Sequence, residues 1–351
     1  MDYLEDIFKE ELSDEDNVRV ENGRVYIRSR HWSPIDIVEM ARLPDGKNVL
    51  FDELFAEWLE ERTENKLSEA NEILEKYDQG DRFLKLSEEF NKGSVIPFVG
   101  AGMSVPSGYP GWTNYLRKQL VNTTISRQEF EALIDGGLYE EAAQQIADEL
   151  GVGFSEAVDS AFGCSRDLAG CVRMLPYVFP GSVVTTNFDN VLERSYTDAG
   201  RPFSAIMSGQ DSASLRKNLA ANNKLLIMLH GKVTSGEGRI LTKDEYDEHY
   251  SHNNILEKVI KSLCDRNNLL FLGCGLTVDR TLTCLKEYVN EEGHENLPKH
   301  YAFLEDPDND ALRIQRQRQL SECHIYPIWY PKDMHDESIE ALLIKLRGSI
   351  R

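Results

Sequence analysis

Short apolar runs that stop abruptly at glycine or polar residues recur along most of this chain, separated by stretches with helical periodicity. Residues 95–99 end at Gly100-Ala101-Gly102, 182–186 at Asn187, 225–229 at His230-Gly231, 269–272 at Gly273-Cys274-Gly275, and 301–304 at Glu305-Asp306. A sixth run spans 324–329. Runs this short, without polar alternation, read as strands buried on both faces. Their alternation with helices implies a parallel sheet covered on both sides. The expected fold class is therefore α/β, a Rossmann-like, mostly parallel sheet. Ligands bind such sheets beyond the carboxyl ends of the strands, where the glycine and polar residues collect.

Helical patterns are expected over residues 112–121, 139–150, 168–177, 215–221, 255–265, 280–290, 311–319 and 337–347. The stretch between Gly102 and Ser182 contains no strand-like run and is expected to be a helical insertion that closes over the site. Ahead of the first strand the pattern changes. Residues 18–21 and 24–27 alternate around Asn22-Gly23, a strong hairpin signal. Helical patterns follow at 35–42, 51–62 and 67–77. Residues 1–92 hold 25 acidic and 13 basic residues, more than half of the net excess of −21. This skew marks residues 1–90 as a small acidic α/β appendage and 91–351 as the principal domain.

Composition narrows the function. A net charge of −21 argues against unaided binding to nucleic acid, whose phosphates need a basic surface. No apolar stretch approaches the roughly 18 residues needed to span a bilayer, and the amino terminus lacks the basic start and apolar run of a signal peptide. A cytoplasmic protein without a membrane partner is expected. The six cysteines form no Cys-x-x-Cys pair, and no His-Glu-x-x-His spacing occurs, so no metal site is expected.

The candidate site residues lie at the strand ends. Gly100, Ala101 and Gly102 lack bulky side chains, so backbone N–H groups can approach a phosphate; the same residues also suit a plain strand-to-helix turn. Ser104 suits either a phosphate contact or a helix cap. Asn187 offers an acceptor and a donor, or an N-cap for a following helix. Asp189 suits a polar pocket or the first turn of that helix. His230 projects from a strand end, where a histidine either exchanges protons near neutral pH or has a structural role alone. Gly273 and Gly275 allow close backbone approach, and Asp279 is either a ligand contact or the cap of the helix at Arg280.

These motifs resemble, in order and spacing, the signatures of the sirtuin fold. Gly100-Ala101-Gly102-Met103-Ser104, Ser107-Gly108-Tyr109-Pro110-Gly111-Trp112, Thr185-Thr186-Asn187-Phe188-Asp189, His230-Gly231 and Gly273-Cys274-Gly275-Leu276 with Asp279 are similar to the sirtuin-like NADase domains of bacterial anti-phage defence proteins. The resemblance covers about residues 94–329. It implies that 91–351 is a sirtuin-like NAD-binding catalytic domain in which Asn187 and His230 are catalytic. It places Gly100, Ala101, Gly102, Ser104, Asp189, Gly273, Gly275 and Asp279 around NAD, which is a substrate, with no separate cofactor. Depletion of cellular NAD in abortive infection, triggered within an assembly, is the implied role. The chain departs from true sirtuin deacylases in lacking their four zinc-binding cysteines. Three readings follow. The first is an NAD glycohydrolase, expected to form a homo-oligomer. The second is an NAD- or ADP-ribose-binding regulatory subunit working with a HerA-like hexameric ATPase or another defence partner. The third is an NAD-dependent protein deacylase.

Overall fold

A computed structural model describes residues 2–13, 34–208, 214–215, 217–218, 221, 223–233, 239–250, 255–265, 267–277 and 280–348. The hairpin expected at 18–27, residues 216, 219 and 220 of the helix expected at 215–221, and Asp279 lie outside the described residues.

The chain divides into two units. One comprises residues 1–70 with 341–351, and the other residues 71–340. The described part of the smaller unit is helical, with helices Asp2–Ser13 and Pro34–Met40 and most of the 28-residue helix Val49–Lys76. That single helix replaces the two expected at 51–62 and 67–77, because no glycine or proline interrupts the intervening residues. Its aromatic face packs Phe8 against Phe51, Phe55 and Trp58 at centroid distances of 5.2–5.7 Å.

The larger unit is built on one seven-stranded sheet, in the order β3-β4-β2-β1-β5-β6-β7. The strands are β1 Val95–Val99, β2 Val183–Thr185, β3 Ala205–Ser208, β4 Leu225–Met228, β5 Asn268–Leu272, β6 His300–Glu305 and β7 Ile325–Tyr330. Every pairing is parallel. The expected α/β class and parallel sheet are therefore observed. β2, β4 and β5 are buried along their whole length, as strands covered on both faces must be. β3 is an edge strand that the apolar pattern did not reveal.

β1 is central, with Phe98 and Val99 in register with Val184 and Thr185 of β2, and its whole length in register with β5. The chain leaves β1 toward β2, β3 and β4 on one side, then returns to lay β5 on the other. The carboxyl ends of β1 and β5 thus flank the topological switch point, where α/β sheets bind ligands. No strand occurs between Gly102 and Ser182; that segment carries helices Trp112–Gln119, Arg127–Asp135, Tyr139–Leu150, Val152–Phe162 and Leu175–Val178.

The helix Gly80–Asn91 belongs to the larger unit, although the charge skew had set the boundary at residue 90. The edge strand β7 explains why. Gln79, buried just before that helix, donates to the Trp329 carbonyl at 2.6 Å and accepts from the Trp329 N–H at 2.9 Å. The side-chain amide takes the place of a neighbouring strand, and Arg82 adds a bond to the Pro327 carbonyl.

Candidate functional site

The glycine turn after β1 packs backbone against backbone on the turn after β5. Gly100 N–H donates to the Leu272 carbonyl at 2.8 Å, and Gly102 N–H to the Gly273 carbonyl at 2.9 Å. A Cβ on Gly100 would lie 2.6 Å from the Gly273 oxygen and 2.8 Å from Cys274 Cα. One on Gly273, whose φ is +65°, would lie 2.6 Å from Met103 N. Gly100, Gly102 and Gly273 are thus required by the contact between two strand ends, whether or not a phosphate also approaches. Gly275 has no atom within 4 Å of its Cβ position and offers its carbonyl to Arg316.

Beyond β2 the chain is held by its own polar groups. Thr185 Oγ1 donates to the Val99 carbonyl at 2.7 Å and accepts from Asn187 N–H at 3.0 Å. The buried Asn187 amide donates to the Gly100 carbonyl at 3.0 Å and to Ser104 Oγ at 3.2 Å. Asn187 therefore does not cap a helix. Its NH₂ is spent on Gly100 and Ser104, which leaves Oδ1 as the remaining polar atom of the amide, an acceptor. Ser104, at the end of the 3-10 turn Ala101–Ser104, is buried and bonded to Asn187 and Asp189. It joins the two strand ends.

Asp189 accepts from Val191 N–H at 3.0 Å, at the first residue of helix Val191–Asp198. It is helix-associated and buried beside the site at once. Burial raises its pKa above the ordinary carboxyl range, against the opposing pull of the Val191 amide and the Ser104 hydroxyl.

His230 follows β4 and is fully enclosed. Its Nε2 lies 2.8 Å from the Tyr250 hydroxyl and its Nδ1 3.4 Å from that of Tyr246. Loss of hydration lowers its pKa to about 3, so the imidazole is neutral across the physiological range.

Ala101, Thr186, Asn187, Asp189, His230 and Tyr246 meet around one cavity of about 150 Å³, walled by Pro110, Trp112, Phe162 and Phe188. Trp112, Phe162 and Phe188 pack edge to face or tilted, with centroids 5.7–6.3 Å apart. The helical segment after β1 thus supplies one wall, and helix Lys243–His249 supplies Tyr246. A cavity of this size matches a single aromatic ring. A larger groove of about 610 Å³ opens beyond β5 and β6, bordered by Leu276, Thr277, Pro307 and Arg316.

Of the residues expected from sequence, Ala101, Asn187, Asp189 and His230 line the small cavity. Gly100 and Ser104 support Asn187 from behind, and Gly102 and Gly273 hold the two turns together. Tyr246 and Tyr250 were missed, although their spacing of four on a helix that opens with a Thr242–Glu245 capping box places them on one face. Among the described residues no group of three His, Cys, Asp or Glu side chains is arranged to hold a metal, and no helix is long and apolar enough to cross a membrane.

Residues 181–328 match the SIR2-like domain family. The chain is 24% identical over 257 residues to defense-associated sirtuin 2 of Bacillus subtilis, a match covering 69% of this chain and 25% of that protein. It is 24% identical over 226 residues to the NAD(+) hydrolase ThsA of Cytobacillus dafuensis, covering 63% of this chain and 42% of that one. It is 22% identical over 224 residues to ThsA of Enterococcus faecium, covering 63% and 45%. The chain spans less than half the length of each of these relatives.

Proposed function

We propose that the chain, which matches the SIR2-like domain family over residues 181–328 and is similar to bacterial NAD(+) hydrolases, cleaves NAD to nicotinamide and ADP-ribose. The reading is carried by the convergence of Asn187, Asp189 and His230 on one ring-sized cavity beside the glycine turn.

The nicotinamide ring occupies the cavity between Trp112, Phe162 and Phe188. Its ribose lies against Asn187, and the pyrophosphate runs over the Gly100–Gly102 turn. The adenosine half continues past Gly273 and Gly275 toward the groove at Leu276 and Thr277. The leaving group is already cationic, so the protein has to fix the dinucleotide, stabilise the oxocarbenium-like ribose and deliver water. Asp189 supplies negative potential near the developing charge, and Asn187 Oδ1 orients the ribose or the water. His230 takes the proton. Its low basicity suffices, because water bonded to an oxocarbenium carbon is far more acidic than imidazolium.

The aromatic walls and Tyr246 of helix Lys243–His249 leave room in this cavity for the ring alone, with the rest of the dinucleotide outside it. Activation within an assembly, as a homo-oligomer or with a defence partner such as a hexameric ATPase, is part of the same proposal.

Nicotinamide release by the purified chain, alone and with the products of neighbouring genes, tests the proposal. Release that survives both Asn187→Ala and His230→Ala would sink the mechanism. Tight NAD or ADP-ribose binding without turnover under every condition would favour a regulatory subunit, and dependence on an acylated peptide would favour deacylation.

A further inference from the structure

His230 is held from both sides by phenols of one short segment. Tyr246 lies on helix Lys243–His249 and Tyr250 follows one turn later, so both face the same way. Their rings stack, with centroids 5.7 Å apart and planes at 24°. The two contacts are unequal. Tyr250 lies at 2.8 Å from Nε2, a full hydrogen bond, whereas Tyr246 lies at 3.4 Å from Nδ1, at the outer limit. Their surroundings differ too. Tyr250 is packed in the apolar core with Ile240, Leu256 and Val259, while Tyr246 lines the cavity with Asn187 and Asp189.

A neutral imidazole has one nitrogen that donates and one that accepts, and the partner of one decides the role of the other. We infer that Tyr250 is a positioning residue whose phenol oxygen accepts Nε2–H and thereby keeps the lone pair on Nδ1, the nitrogen on the cavity side. This rests on the reading of His230 as the base. The tight bond at Nε2 fixes ring orientation and tautomer together. The loose contact at Nδ1 lets a water replace the Tyr246 hydroxyl.

In the reaction the water oxygen bonds to the anomeric carbon as the carbon–nitrogen bond breaks. The bonding pair leaves with nicotinamide, which departs neutral. One water proton passes to Nδ1, and the resulting imidazolium, still donating Nε2–H to Tyr250, returns it to solvent. One NAD and one water give nicotinamide, ADP-ribose and a proton.

The tautomer is read directly from the whole chain labelled with ¹⁵N-histidine, using two-bond proton–nitrogen correlations, with His230 identified by loss of its signals in His230→Gln. The expected wild-type spectrum has Nε2 protonated and Nδ1 bare, and Tyr250→Phe converts it to a mixture of tautomers. A bare Nε2 in the wild type overturns the inference whether or not the protein is active. In steady-state assays of nicotinamide release, Tyr250→Phe is expected to lower kcat about 10- to 100-fold with KM for NAD nearly unchanged. An unchanged kcat beside an active wild type also overturns it. If the wild type releases no nicotinamide under any condition, the reading of His230 as a base fails, and the spectrum alone decides what Tyr250 does.

Discussion

At the scale of single residues, the site is made of groups whose ordinary chemistry is altered by burial. The Asn187 NH₂ is engaged by Gly100 and Ser104, and the His230 ring is held at Nε2 by Tyr250 and contacted at Nδ1 by Tyr246. Replacing either with Ala is expected to lower nicotinamide release by about 10²- to 10⁴-fold, measured with matched circular dichroism spectra. Burial also makes histidines sensors of acid. His230 and His300 are both enclosed and held near a pKa of about 3, and His300 Nδ1 accepts the Leu269 N–H at 3.1 Å. These values lie below the ordinary 6.5, so below that pH the unfolded chain binds more protons than the folded one. Stability is therefore expected to be flat with respect to these groups above pH 6.5. It should fall toward pH 3 by about 1.4 kcal/mol per pH unit for each histidine. Urea unfolding at pH 7 and pH 5 checks this, and His300→Gln should reduce the slope.

At the scale of elements, the turns after β1 and β5 act as one joint. Gly100→Ala and Gly273→Ala each force a Cβ onto backbone atoms, which cannot turn aside as a side-chain tip can. Each is expected to cost about 1–3 kcal/mol in denaturant unfolding, whereas Gly275→Ala, with open space at its Cβ, should leave stability unchanged. The far edge of the sheet depends on Gln79 in the same way. Gln79→Leu would strand the Trp329 N–H and carbonyl without partners, at an expected cost of about 1–3 kcal/mol. An unchanged urea midpoint would show that water reaches β7 at that point.

At the scale of the whole molecule, the chain covers a quarter to under half of the relatives it matches, whose activities belong to longer proteins. Assembly is where control of an NAD-depleting activity is expected. Specific activity should rise with protein concentration or on addition of a partner, followed by size-exclusion chromatography in parallel with nicotinamide release. A monomer with constant specific activity on dilution would contradict this.

The parallel sheet was readable in the sequence because strands buried on both faces must be apolar along their length, and six of the seven announce themselves that way. β3, Ala205–Ser208, did not, since an edge strand with half-buried residues needs no such run. Helix Arg127–Asp135 was overlooked despite a complete Ser126–Glu129 capping box, a local signal that apolar periodicity does not register. The residues Gly100, Asn187, Asp189 and His230 were visible as strand-end groups, because polar residues after apolar runs mark the rim of such a sheet. Their gathering beyond the carboxyl ends of the strands follows from the same rule, whereas the particular hydrogen bonds among them and the partnership of His230 with Tyr250 are not visible there. Hydrogen bonds between Gly100 and Asn187, or between His230 and a tyrosine twenty residues later, depend on how strands are ordered and helices laid across them. Local sequence determined which segments form strands and which residues stand at their ends. Only tertiary packing decided which of those ends meet, because strand order is set by the burial of the whole sheet.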